Sequence, residues 1–291
     1  MENNRYSTDL SDEEWRCIGP HLPESKGRGR PKIHGSRAIL NAVFYILKSG
    51  CPWRLLPKDF PPWKSVYDWF RKWRIDGTFE HLNASLRELL RARSGRHPLP
   101  SAGIADSQTT KTTGVGGEQR GYDANKKVRG RKRHLLVDTE GLVLKAKVHS
   151  AKVPEQDGLR LLLESARSGL SRLKHLWLDA GYEGRGKRWA KEVMGLSVEI
   201  VRKPPKPVPE KVAKVWAQEW AKEGKQVDWQ RLMPPRGYVA LPRRWVVERT
   251  FFSWISQNRR MSKDYERLCA SAEAFVYAAM IRLMVRRLAR G

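Results

Sequence analysis

Three acidic residues constrain this chain more than any other feature of it. Asp106 closes the run Gly-Ile-Ala-Asp, Asp179 closes His-Leu-Trp-Leu-Asp, and Glu248 lies inside Arg-Arg-Trp-Val-Val-Glu-Arg-Thr-Phe-Phe-Ser-Trp. The first two settings read as strand ends. The third is helical, and Arg244, Phe251, Phe252 and Ile255 fall near the face that carries Glu248. A carboxylate on an apolar stripe is costly to bury unless it is paired or bound to a cation. Neighbouring strands lie only about 4.8 Å apart, so Asp106 and Asp179 can face each other if their strands pair.

Charge narrows the partners. The chain holds 57 Lys plus Arg against 31 Asp plus Glu, a formal net charge of +26 in 291 residues, which implies a polyanionic partner. Nucleic acid is the expected polyanion, and clustered carboxylates would repel it unless divalent metal lay between them. With 40% hydrophobic residues and 12 Trp, the chain carries too much apolar material for a basic tail, so a packed core is expected. Cys17, Cys51 and Cys269 lack Cys-x-x-Cys or paired-His spacing, which indicates neither zinc nor a disulfide framework and fits a reducing compartment. The opening residues carry no apolar leader and no uncharged run is long enough to span a bilayer, so the expectation is a soluble, intracellular protein not associated with membrane.

Periodicity changes near residue 99. Before it the chain reads as helical: Ser11 and Glu14 form a capping box, residues 36–48 repeat apolar side chains at helical spacing before Gly50, and residues 63–75 place Val66, Trp69, Phe70 and Trp73 on one stripe. Lys64, Arg71, Lys72 and Arg74 lie on that second helix, which suits either a helix-turn-helix reader of DNA or a bundle with a solvated basic face. The glycine- and charge-rich segment 26–32 reads as an arm or linker. Beyond residue 99 the pattern gives strands at 103–109, 132–137, 142–148, 176–179 and 198–202. Helices are expected at 156–168, 187–194, 244–260 and 271–290, and residues 204–237 form a Pro- and Lys-rich insertion with a helical middle. A mixed sheet covered by helices follows from that order.

Lys126, Lys127, Arg129, Arg131, Lys132 and Arg133 form a basic run opposed only by Asp123, which reads as a DNA-binding surface or as a solvated loop. His134 and His149 read as structural or phosphate-facing. Taken singly, each acid also has a plain role: Asp106 as a strand-end turn residue, Asp179 as a helix cap, Glu248 as partner of Arg244 or Arg249.

The combination resembles a known family. Ile-Ala-Asp-Ser-Gln-Thr-Thr-Lys, Trp-Leu-Asp-Ala-Gly-Tyr and Arg-Trp-Val-Val-Glu-Arg-Thr-Phe, with Gly-Arg-Lys-Arg-His-Leu-Leu-Val-Asp after the first, are similar to the motifs of DDE transposases of small bacterial insertion sequences. Leu-Ser-Asp-Glu-Glu-Trp and Gly-Cys-Pro-Trp-Arg-Leu-Leu-Pro resemble the N-terminal helical domain of one branch. The resemblance implies an α/β fold with an RNase H-like mixed sheet flanked by helices in residues 99–291, preceded by an all-α, helix-turn-helix-like DNA-binding domain in residues 1–98. It implies Asp106, Asp179 and Glu248 as catalytic metal ligands, two Mg²⁺ ions with Mn²⁺ as a substitute, and DNA contacts that include Arg244. Partners implied are double-stranded DNA, both the element's terminal inverted repeats and the target, and a second copy in a homodimer on DNA. Many relatives carry a longer Tyr, Arg, Glu, Lys signature; Arg244 matches it, whereas Leu241 and Ile255 stand where Tyr and Lys would be. The expected function is cutting the element's ends and joining their 3′ hydroxyls to target DNA. The alternatives are a metal-dependent nuclease without strand transfer and an inactive DNA-binding regulator.

Overall fold

The computed structural model describes residues 6–23, 33–202, 208–229, 241 and 243–290. The basic arm at 26–32 and both flanks of the insertion at 204–237 lie outside the described residues. Helix α1, Asp12–Ile18, opens with the capping box read from sequence: Glu14 N–H donates to Ser11 Oγ and Ser11 N–H to Glu14 Oε2, both at 3.1 Å. Helix α2, Ser36–Ser49, ends at Gly50 in the left-handed conformation, φ 75°. Helices α3, Trp63–Ile75, and α4, Thr78–Arg93, complete the N-terminal group.

The sheet comprises β1 (Ala102–Lys111), β2 (Gly121–Asp123), β3 (Val128–Val137), β4 (Val143–Ser150), β5 (His175–Asp179) and β6 (Ser197–Val201). Strand β1 is central, antiparallel to β3 on one side and parallel to β5 on the other; β4 pairs with β3 and β6 with β5. This is an RNase H-like mixed sheet. Side chains alternate between its faces, as strand geometry requires. Ala105, Leu136, Leu176 and Leu178 pack towards α5 (Glu155–Ala166) and α6 (Arg185–Glu192). Ile104, Leu135 and Val137 pack into the larger core with α8 (Arg244–Arg249) and α9 (Cys269–Ala289). Helix α7, Glu210–Lys222, is the helical middle of the insertion.

Two expectations need correction. The glutamate helix does not run unbroken over 244–260: α8 ends at Arg249 and passes into a π turn over Thr250–Ile255, followed by a 3₁₀ turn at Arg259–Met261. Thr250 is the cause, since its hydroxyl donates to Gly141 O at 2.8 Å as well as to Val246 O at 3.1 Å, tying the widened turn to the β3–β4 hairpin. The change of periodicity near residue 99 is also not a break in packing. One core holds Val66, Phe70 and Phe79 together with Phe275 and Ile281, and the Phe70 and Phe275 rings stack at 4.7 Å.

Candidate active site

Asp106 and Asp179 are delivered side by side. Parallel pairing of β1 with β5 registers Ile104 against Trp177, and each aspartate follows two residues later on its strand. The Asp106 carboxyl is pushed up to about 7, first by burial and then by the negative charge of Asp179; Ser107 N–H, which donates to its Oδ1 at 2.7 Å, only partly offsets this. Asp179 Oδ1 accepts Gly181 N–H at 2.8 Å, so it also caps the short turn at Ala180–Tyr182. Its other oxygen lies 3.4 Å from Arg244.

Arg244 joins the third acid to this pair. Its Nε is 3.1 Å from Glu248 Oε1, one turn along α8, so one guanidinium bridges the second aspartate and the glutamate. An Arg four residues before a Glu is the weaker order for a helical pair, so the second ion pair, to Asp179, adds to what holds Arg244 here. The chain enters α8 through Arg243, held at φ 71°, where its guanidinium lies 4.9 Å over the Trp177 ring.

Among the described residues, no group of three or more His, Cys, Asp or Glu side chains is disposed to hold a metal ion as it stands. The donors nevertheless fit a hard divalent cation. All are oxygens, the charge of Asp179 raises the cost of ionising Asp106 in a way that a cation relieves, and Asp179 and Glu248 already share a positive group in Arg244.

The basic run divides along the chain, exposed up to Arg129 and buried from Arg131 onward. Lys126, Lys127 and Arg129 are exposed at the β2–β3 turn, which Asp123 shapes by accepting the N–H groups of Asn125 and Lys126. Arg131, Lys132 and Arg133 are buried, and the reading of them as DNA contacts is corrected. Arg131 meets Asp264 at 3.2 Å and donates to the carbonyls of Glu118, Glu266 and Arg267. Arg133 donates to the carbonyls of Met261 and Lys263 from the same face. Lys132 points the other way, to Val153 O and Asp123. Buried cations persist only when bonded in this manner, so the three pin the sheet to its surroundings.

Helix α3 keeps Lys64, Arg71 and Lys72 on its exposed side, whereas Arg74 donates to Ser271 Oγ at 3.0 Å and ties α3 to α9. Arg244 lies within the acid site, not on open surface. His134 and His149 are structural: the stacked rings share a 2.8 Å hydrogen bond beneath α5, and burial lowers the pKa of each.

Residues 97–284 match the family model described as "Transposase DDE domain". The chain belongs to the DDE transposase family. Residues 10–83 of this DDE transposase match a second model, DUF4096, of IS4/5-family transposases. An uncharacterized 16.2 kDa protein of insertion element IS402 from Burkholderia cepacia is 32% identical over 114 residues, covering 37% of this chain and 76% of the relative. Among solved structures, the Mos1 transposase paired-end complex with left transposon end is 14% identical, with 81% of this chain and 82% of that chain covered at a TM-score of 0.22. The Mos1 strand transfer complex gives 14% identity, 91% and 79% coverage and the same TM-score of 0.22. Both scores are too low to place residues.

Membership in the DDE family implies divalent-metal chemistry. The departure at Ile255 has a physical reason, because that side chain is buried in the main core, where a lysine would be stranded. Sequence reasoning missed Glu155 and Tyr182. Glu155 is the first residue of α5, one position before the helix predicted from periodicity, and its Oε1 accepts from Ser107 Oγ at 3.1 Å, beside Asp106. Tyr182 stood in the second aspartate motif, but its burial under the acids had no signal in spacing alone. No described helix is long and apolar enough to cross a membrane.

Proposed function

We propose that this chain is the transposase of a small bacterial insertion element, cutting the element's ends and joining the freed 3′ hydroxyls to target DNA. The observation that carries the reading is the placement of Asp106 beside Asp179 on paired strands, with one arginine joining Asp179 to Glu248, in a chain of the DDE family. In this reading Asp106, Asp179 and Glu248 hold two Mg²⁺ ions, which when bound supply Lewis acidity and charge neutralisation to an in-line phosphoryl transfer. Arg244 neutralises the carboxylates it touches and presents a planar fork suited to a DNA phosphate. Lys126, Lys127 and Arg129 lie at the edge of the same site and take phosphates with little sequence preference. Lys64, Arg71 and Lys72 on α3 supply the contacts to the element's end, and two copies assemble on paired ends so that both can be joined.

The test is a strand-transfer reaction with labelled element ends, a plasmid target and Mg²⁺. Wild-type protein is expected to give joined product. Asp106→Asn, Asp179→Asn and Glu248→Gln are each expected to abolish turnover while retaining DNA binding, because each removes an oxygen ligand and leaves the exposed cations. Cleavage with no joined product would make the protein a nuclease.

A further inference from the structure

Behind the aspartates, on the α5 side of the sheet, stands a second set of groups that the three-acid reading does not use. Glu155 carries one oxygen that is already engaged: Oε1 accepts from Ser107 Oγ at 3.1 Å and lies 3.3 Å from Lys126 Nζ. A β-carbon built on Gly181 would sit 2.5 Å from Glu155 Oε2 and 3.0 Å from Asp179 Oδ1, so these two oxygens flank one small space that glycine leaves open. Tyr182, fully buried at 0% exposure, supplies an independent observation. Its hydroxyl makes no hydrogen bond of good geometry; Ser107 is the one neighbour close enough to pair with it loosely, and the charges of Asp106, Glu155 and Asp179 bear on its proton. A buried donor without an acceptor costs about 1–3 kcal/mol, so an unfilled hydroxyl among carboxylates marks a place for a further oxygen-bearing group.

We infer that Glu155 is a fourth carboxylate of the metal centre, presenting Oε2 to the cation held by Asp179 while Ser107 and Lys126 orient it through Oε1. Tyr182 then faces the hydration shell of that cation, and Gly181 keeps the space clear for it. The inference rests on the metal-dependent reading above. A mere anchor for the β2–β3 turn would need Lys126 and no open oxygen, and it would not explain an orphaned hydroxyl beside the acids.

The test uses Mn²⁺ alone, titrated against the full chain without DNA, with free Mn²⁺ followed by electron paramagnetic resonance. Glu155→Gln is expected to weaken Mn²⁺ binding at least about tenfold, the scale at which ligands and their supporting residues act on metal sites. Glu155→Asp keeps the charge with a shorter reach and is expected to fall between the two, which preserves the test if the glutamine variant folds poorly. Lys126→Met removes one of the two groups that orient Oε1 and is expected to weaken Mn²⁺ binding less than Glu155→Gln does, because Ser107 still holds that oxygen. Wild-type Mn²⁺ affinity in both Glu155 variants, with Asp179→Asn weakened, would overturn the fourth ligand and leave the three-acid reading standing. Wild-type affinity in Asp179→Asn and Asp106→Asn as well would bring down the metal reading and this inference with it.

Discussion

Arg131 and Lys127 belong to one basic run and meet opposite fates. Arg131 is wholly buried against Asp264 and backbone carbonyls, whereas Lys127 is exposed in a turn with φ 51°. Arg131→Met leaves Asp264 buried without its cation and is expected to cost about 3–5 kcal/mol, read as a fall in the chemical-denaturation midpoint. Lys127→Ala is expected to change stability by less than about 0.5 kcal/mol. The same substitution should reduce the salt dependence of DNA binding by about one phosphate contact. If Arg131→Met were as stable as wild type, the assigned burial would be wrong. The sequence shows that seven basic residues crowd residues 120–133, but their roles depend on how far along β3 each lies and on the segment 261–267, far away in the chain. No local pattern announces Asp264 as their partner.

At the level of elements, the β3–β4 hairpin positions the glutamate helix from a distance. Asp138 shapes the turn by accepting the N–H groups of Glu140 and Leu142 at 2.9 Å, and Arg91 Nη1 meets its other oxygen at 2.5 Å. Gly141 completes the turn at φ 86°, where an added β-carbon would come within 2.8 Å of Thr250 Oγ1 and 3.0 Å of Trp254. Gly141→Ala is therefore expected to lose about 2 kcal/mol or more, from left-handed strain together with displacement of the π turn. Because that turn follows Glu248 directly, turnover should fall further than stability alone explains, even where the variant is fully folded. Calorimetry and single-turnover cleavage, measured on the same preparation, check this; unchanged turnover in the folded variant would detach the hairpin from the site. The turn at 138–141, the capping box and the strand that Asp179 closes were legible, because each is a local rule of capping, alternation or turn chemistry; Asp106, read as a strand end, instead lies in the middle of β1, which continues to Lys111 where it pairs with β3. The π turn was not legible, since the hydrogen bond that widens it comes from a carbonyl more than a hundred residues away in sequence.

The molecule as a whole has a core that ignores its change of secondary structure. Phe70 of α3 stacks on Phe275 of α9, and α9 packs against α4 and β4, so the N-terminal helices and the sheet bury the same side chains. Phe275→Ala is expected to cost about 3–5 kcal/mol and to lower the unfolding of both parts together, with tryptophan fluorescence and far-ultraviolet dichroism giving coincident transitions. Two separated transitions in the wild type would show that the helices unfold alone. The pH dependence of this single unfolding step contains opposed contributions. Burial raises Asp106, Glu266 and Glu273, so the folded state retains their protons above the unfolded values and gains stability from them as pH falls towards those values. His134 and His149 act in the other direction, since burial lowers both. Their stabilisation is complete above about 6.5, the unfolded value, and is lost as pH falls from there towards the depressed folded values, because the unfolded rings take up protons that the folded rings refuse. The decisive measurement is the ring carbon resonance of His134 in the folded protein. It is expected to remain that of a neutral imidazole well below the ordinary value of about 6.5, because burial first and then the stacked His149 ring, Lys132 and Lys126 oppose a positive charge there. A midpoint at or above that ordinary value would mean that solvent reaches the pair, and α5, which holds Glu155 against Ser107, would then not be packed on the sheet as described.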